Sequence, residues 1–268
     1  MDISTSIGIG IGLGALAIGF VLEGGSLLSL LHVSAFLIVF GGTIGAVVAG
    51  FPFSELKKFP QWLKIALNGP EYDLYKDQEQ LIKYAEKARR EGLLSLEHEL
   101  RDIDDKFIQQ GMQLVIDGTD PETTKEILES NIDAMSHRHH VGVSVFEAAG
   151  GFSPTMGIIG TVMGLIQVLG NMEDPSALSS SIATAFAATL YGVAAANIAY
   201  LPIATKLKFK DKQEVARMEM ILEGIISIQA GENPSILKEK LKTHLSPASV
   251  KVQGDTNNLE SELLNAEG

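Results

Sequence analysis

The stretch Ala148–Met172, AAGGFSPTMGIIGTVMGLIQVLGNM, holds no Asp, Glu, Lys or Arg. Coiled as a helix it is long enough to cross a hydrocarbon core about 30 Å thick, which takes roughly 20 mainly apolar residues. Beyond Glu173-Asp174 a second uncharged stretch, Pro175–Thr205, repeats the pattern. Two more lie at the other end of the chain, Ile3–Leu22 and Gly24–Ser54. The reading is an all-α membrane protein with four transmembrane helices, at 3–22, 27–51, 148–171 and 179–205. A cytoplasmic helical insert occupies 52–147, between spans 2 and 3. A cytoplasmic helical extension follows at 206–245, and 246–268 is expected to be a disordered tail, polar and rich in Asn and Gly.

The averages hide this division. Over 268 residues the net charge is −12, the sequence pI is near 4.9 and the mean hydropathy is +0.18, which fits a mixture of membrane and aqueous segments. A soluble enzyme is excluded by the spans, and a nucleic-acid binder by the missing basic patch. With no cysteine there is no disulfide, thiolate metal site or cysteine nucleophile. The first span is preceded by Met1-Asp2, with no Lys or Arg before Lys57, so it lacks the positive n-region of a signal peptide and reads as retained.

Lys and Arg favour cytoplasmic loops. All 21 fall in two stretches, twelve between Lys57 and Arg138 and nine between Lys206 and Lys251. The short connections carry Glu23, Glu173 and Asp174 instead. Both termini are therefore expected in the cytoplasm of a multi-pass inner-membrane protein, with tight external turns joining spans 1–2 and 3–4.

The insert reads as helices separated by breakers. Pro52 and Pro60 bracket the start of an amphipathic piece containing Trp62, Leu63, Ile65 and Leu67, and Asn68-Gly69-Pro70 turns the chain. Leu81, Tyr84, Ala85 and Ala88 recur at helical spacing over Asp77–Glu91 until Gly92. Asp120 is placed to cap a helix with Pro121 at its first position, continuous with span 3. Gly231-Glu232-Asn233-Pro234 echoes Gly118-Thr119-Asp120-Pro121, with Asn233 capping a last helix.

Inside the spans the polar groups are mostly neutral, and His32 is the one histidine there. Intramembrane acids and bases usually mark ion pathways. Either this chain moves no ions, or a partner supplies the charge. Pro154, Gly157, Thr161 and Gly164 share one helical face, as do Ala185, Thr189, Gly192 and Ala196. A face of small groups with one hydroxyl suits close helix packing and equally a narrow polar path. Pro154 and Pro202 each remove a backbone donor. His137 and His140 with Asp133 have metal-ligand spacing, but no recognised motif is completed, and interfacial histidines are the reading adopted.

These residues carry a resemblance. Phe152–Gly164 resembles the third span of the MotA family of flagellar stator subunits, in the MotA/TolQ/ExbB superfamily. Thr189-Leu190-Tyr191-Gly192, Asn197 and Pro202 resemble the fourth, and Arg89–Glu97 the rotor-facing helix. The resemblance implies a homopentamer around a dimer of a peptidoglycan-anchored MotB-like subunit, whose span brings the missing aspartate. Ion flow would then turn into torque on FliG of the rotor ring. It places Pro154 beside the partner aspartate and Gly157, Thr161, Thr189 and Pro202 along the ion pathway, Pro202 near the cytoplasmic end of span 4. Arg89, Arg90 and Glu97 are the implied rotor contacts. No catalytic residue, metal or cofactor is implied, and neither is enzyme activity. Thr161 is a residue typical of sodium-type subunits, whereas Ala188 stands where those carry a further hydroxyl. Sodium needs several oxygen ligands, so the proton is favoured and sodium is the alternative. Competing functions are an ExbB/TolQ-like energiser of another envelope system, a self-contained four-span transporter and a scaffold without ion flow. No HExxH, GxSxG or intramembrane Asp pair supports a membrane hydrolase.

Overall fold

A computed structural model describes residues 4–69, 72–100, 103–170 and 175–245, without the side chains of 175–177. Ile3, the connection at 171–174 with Glu173 and Asp174, and the tail at 246–268 lie outside the described residues. The first span, α1, is Ser4–Leu22. Gly24 reverses the chain with φ 84°, a conformation that costs a glycine little. The second span, α2, covers Val33–Gly50, later than the start at 27 read from the sequence. Leu27–Leu30 forms a separate 3₁₀ turn, and the extended His32 before α2 gives its backbone N–H to the Tyr191 hydroxyl. That outward pairing takes the chain out of the helical ladder. A π-helical turn, Leu37–Gly41, lies within α2.

After Pro52 come a short turn, Phe53–Leu56, and α3, Phe59–Asn68, which buries Trp62 and Ala66 one turn apart. Helix α4, Leu74–Glu91, is capped by Asp73 and stopped by Gly92 at φ 86°. Two single turns, Leu93–Leu96 and Glu97–Leu100, lead towards α5, Lys106–Ile116, which Asp105 caps through the amides of Phe107 and Ile108. Helix α6 runs without interruption over Pro121–Gly170, with Asp120 accepting from the Thr123 amide and Pro154 in its interior. Helix α7 comprises Pro175–Ala194, a π-helical turn Ala195–Tyr200, and Leu201–Gln229. The span read at 179–205 is thus part of a longer helix at both ends. Pro202 has no N–H for the carbonyl four residues before it, and the widened turn sits directly ahead of this gap. Helix α8 is Pro234–Lys242.

The chain forms two compact units, Met1–Pro70 with His137–Asp211, and Glu71–Ser136 with Lys212–Gly268. The first contains the spans. There Trp62, Ala66, Val143, Phe146, Ala149 and Ile203 form one buried cluster, and Ala35, Val39, Ala187 and Ala188 another. Large apolar side chains elsewhere on the spans are exposed, among them Ile11, Leu28, Ile158, Ile166 and Phe186, the inverse of a water-soluble surface. The second unit has a conventional core, with Leu81, Ile108, Met112, Leu128, Ile221, Ile225, Leu237 and Leu241 fully buried.

The two Gly-x-(Asp/Asn)-Pro restarts share one geometry. Gly118 and Gly231 adopt φ 75° and 68°, and the Asn233 side chain accepts from the Ser235 amide at 3.0 Å. Asn233→Ala is expected to destabilise α8 by about 1 kcal/mol, read as earlier protease cleavage near residue 233 in a urea titration of the full chain.

Candidate functional site

The two small-residue faces meet each other. A Cβ on Gly192 would lie 2.5 Å from the Ser153 carbonyl oxygen and 3.2 Å from the Cα atoms of Pro154 and Gly157. A Cβ on Gly157 would lie 2.9 Å from the Ala188 carbonyl, and one on Gly164 would lie 2.7 Å from the Ala185 Cβ. Spans 3 and 4 therefore approach backbone to backbone over three turns. Close packing accounts for the glycines directly.

The hydroxyls sit in this seam. Thr161 Oγ1 is hydrogen-bonded with Thr189 Oγ1, and lies 3.1 Å from the Gly157 carbonyl oxygen and 3.0 Å from that of Ala185. Both threonines are half-buried. One hydroxyl proton can go to a carbonyl and the other to the neighbouring hydroxyl, so the pair satisfies itself and keeps free lone pairs. Ser153, at the foot of the seam, is fully buried and its hydroxyl has no hydrogen-bond partner among the described residues. Ala188 packs towards Gly160, whose added Cβ would lie 2.6 Å from the Ala188 Cβ. Ala188 is thus a packing contact between spans 3 and 4.

The structure brings Pro154, Gly157, Thr161 and Thr189 together and leaves Pro202 apart. Pro202 lines a groove of about 700 Å³ between α1 and α7. Arg89, Arg90 and Glu97 are all exposed, the arginines in the last turn of α4 and Glu97 opening the turn Glu97–Leu100. Leu94 between them is 71% exposed, an apolar group within a charged surface.

Several contacts had no local sequence signal. At one end of the spans His32 Nδ1 lies 3.1 Å from Thr184 Oγ1 and His32 Nε2 3.0 Å from the Ser29 carbonyl, while Tyr191 donates to the Leu30 carbonyl. This network ties the start of span 2 to span 4. His139 Nδ1 lies 3.0 Å from the buried Asp211, and His140 Nε2 3.8 Å from it. Among the described residues no group of three metal-ligating side chains converges, so His137, His140 and Asp133 form no ligand set. In the second unit Arg217 bridges Asp77 and Asp105 and stacks over the Tyr72 ring. Burial alone would push the Asp105 carboxyl up, yet the Ile108 amide, the Arg217 guanidinium and the Phe107 amide together hold it below its ordinary value.

Residues 99–220 match the MotA/TolQ/ExbB proton channel family, and residues 6–92 match the motility protein A N-terminal family. Motility protein A of Bacillus subtilis is 37% identical over 273 residues, covering 97% of this chain and 98% of that protein. Motility protein A of Borreliella burgdorferi is 40% identical, covering 92% and 95%. The structure is similar to the flagellar MotAB stator complex from Bacillus subtilis, with TM-score 0.86 and 37% identity over 92% of this chain and 97% of that one. The match over 6–92 and the near-full coverage favour motility protein A over the other branches of the superfamily. The chain belongs to the motility protein A family and is a flagellar stator ion-channel subunit, a multi-span membrane protein and not an enzyme.

Proposed function

We propose that this subunit forms a homopentamer around a dimer of a MotB-like partner in the inner membrane, with both its termini cytoplasmic. An aspartate of the partner takes the ion, and passage past the Pro154–Thr161–Thr189 seam drives torque onto FliG through the surface of Arg89, Arg90 and Glu97. One observation carries this reading. The four spans hold no Asp, Glu, Lys or Arg, while two hydroxyls and a helix-interior proline lie in one seam. Such a seam can pass a proton along hydroxyls and water to a carboxylate, but has no carboxylate of its own. The similar Bacillus subtilis structure is described as a MotAB stator complex, which supports the partner.

The proton is the favoured ion. The Thr161 and Thr189 hydroxyls bond to each other, and a desolvated Na⁺ would have to replace that bond with several oxygen ligands. The matched family's description as a proton channel points the same way. Pro202, next to the π-helical turn of span 4, belongs to the same pathway towards its cytoplasmic end. Swimming of cells carrying this chain and its partner as their stator is expected to persist when Na⁺ is replaced by K⁺ and to stop with a protonophore. Thr161→Ala is expected to slow swimming without changing that ion dependence. Swimming that tracks Na⁺ and survives the protonophore would overturn the proton reading.

A further inference from the structure

Helix α3 is held in place where three spans end. Trp62 packs against Gly142, where an added Cβ would come within 2.9 Å of the indole ring. Phe59 stacks on Phe146 with ring centroids 5.1 Å apart. Ile203, Ala204 and Leu207 belong to the same buried cluster as Trp62. Gly142 and Phe146 precede the uncharged stretch that begins at Ala148, Ile203 and Leu207 flank the end of another at Thr205, and α3 itself follows the one that ends at Ser54. Helix α3 therefore lies where the apolar phase gives way to water. Its outward side is amphipathic. Phe53, in the turn before α3, is 67% exposed, and Phe59 and Ile65 are exposed as well. Lys57, Lys58 and Lys64 are exposed beside them, and the Lys57 ammonium lies 5.9 Å from the centroid of the Phe53 ring. Glu55, the one carboxylate between Gly50 and Gly69, is bonded to Lys58, and Glu147, next to Phe146, is bonded to Lys208. Lys57 and Lys64 form no ion pair among the described residues.

We infer that the surface of Phe53, Lys57, Phe59, Lys64 and Ile65 binds anionic phospholipid headgroups, with its apolar side chains among the upper acyl groups and the two unpaired ammoniums on phosphates. Exposed aromatic and aliphatic groups beside lysines at the end of a span have the composition of an interfacial helix. The lysine stems lie along the apolar groups while their ammoniums reach the headgroups. A zwitterionic lipid brings a cation with every phosphate, so two lysines without carboxylates favour a headgroup of net negative charge. A second copy seated here would have to bring a carboxylate to each of two separate lysines and cover Phe53 as well. The surface shares no residue with the ion-pathway seam or with Arg89, Arg90 and Glu97, and the inference depends on neither the ion nor the rotor.

The chain has no cysteine, so Ser54→Cys carries a single fluorescent dye beside Phe53. Ser54 is itself exposed. The full-length chain, assembled with a cysteine-free partner subunit, is placed in phosphatidylcholine nanodiscs. Spin-labelled phosphatidylglycerol or spin-labelled phosphatidylcholine is then added at the same low fraction as quencher. The dye is expected to be quenched by both lipids and to show a preference for phosphatidylglycerol. Lys57→Gln and Lys64→Gln are each expected to lower that preference by about fivefold, the size of one lysine's attraction to anionic lipid, while Lys57→Arg and Lys64→Arg keep it. Phe53→Ser is expected to weaken quenching by both lipids alike. None of these side chains belongs to the Trp62 cluster, so the two subunits should still purify together. Equal quenching by the two lipids would overturn the inference, and so would a preference that both lysine-to-glutamine variants leave unchanged. A dye that neither lipid quenches would overturn it too. Loss of assembly in Phe53→Ser would do the same, by making a second copy the occupant.

Discussion

Arg217→Met is expected to destabilise the unit Glu71–Ser136 with Lys212–Gly268 by about 3–5 kcal/mol, the usual result of removing one partner from a buried ion pair. Arg217 Nε lies 2.5 Å from Asp77 Oδ2, its Nη2 lies 2.9 Å from Asp77 Oδ1, and Nη2 also lies 2.7 Å from Asp105 Oδ2. The Asp77 and Arg217 side chains are only 10% and 13% exposed. Without the guanidinium two carboxylates remain close together with no cation between them. Asp105 would still cap α5, but its charge would be uncompensated. Arg217→Lys should recover only part of the loss, because an ammonium lacks the planar fork that meets both Asp77 oxygens. Urea titration of the purified full-length complex, followed by protease cleavage between α4 and α5, measures the shift.

The pH dependence has a defined sign. The Asp105 carboxyl is held below its ordinary 3.8 in the folded protein. Its contribution is therefore complete above that value and is lost as pH falls through the lower folded value. In Arg217→Met, acid instead relieves uncompensated negative charge. The stability gap between wild type and variant is expected to narrow as pH falls towards 4. A gap that is constant from pH 7 to pH 4 would show that the loss comes from packing alone.

Gly192→Val is expected to abolish swimming. The atoms that the new Cβ would meet are the Ser153 carbonyl oxygen and the Cα atoms of Pro154 and Gly157. These are backbone and cannot rotate away, so the two helices must separate. Overpacking of this kind typically costs about 1–3 kcal/mol, and here it also opens the Thr161–Thr189 hydrogen bond. Gly14→Ala is the matched control, because an added Cβ there meets nothing within 4 Å, and it should leave swimming unchanged. Soft-agar expansion together with the amount of complex in the membrane separates loss of function from loss of protein. Normal swimming of Gly192→Val would mean that spans 3 and 4 do not approach at this point.

Much of the membrane portion was legible because its signals are local. An uncharged run shows its length directly, and an Asp or Asn before Pro shows a helix start within four residues, as at Asp120 and Asn233. Helical periodicity also identified the two small-residue faces. It could not tell whether they face each other, a lipid tail or a partner. The start of span 2 was less legible, since the hydrophobic run continues through Leu27–Leu31. The helix begins only at Val33 because the His32 amide is held by Tyr191, 159 residues away.

The sequence by itself determined four uncharged spans, the positions of their breakers and caps, and the absence of a carboxylate within the membrane stretches. Each of these depends on residues within a few turns of one another. Only the tertiary structure decided that Thr161 meets Thr189, that Pro202 lines the α1 groove and not the seam, and that Arg217 pairs with Asp77 across 140 residues. The physical reason is the same in each case. A threonine, a proline or an arginine on a helix face has the same local pattern whatever opposes it. Its partner is set by how helices distant in sequence pack, and no spacing within one helix records that choice.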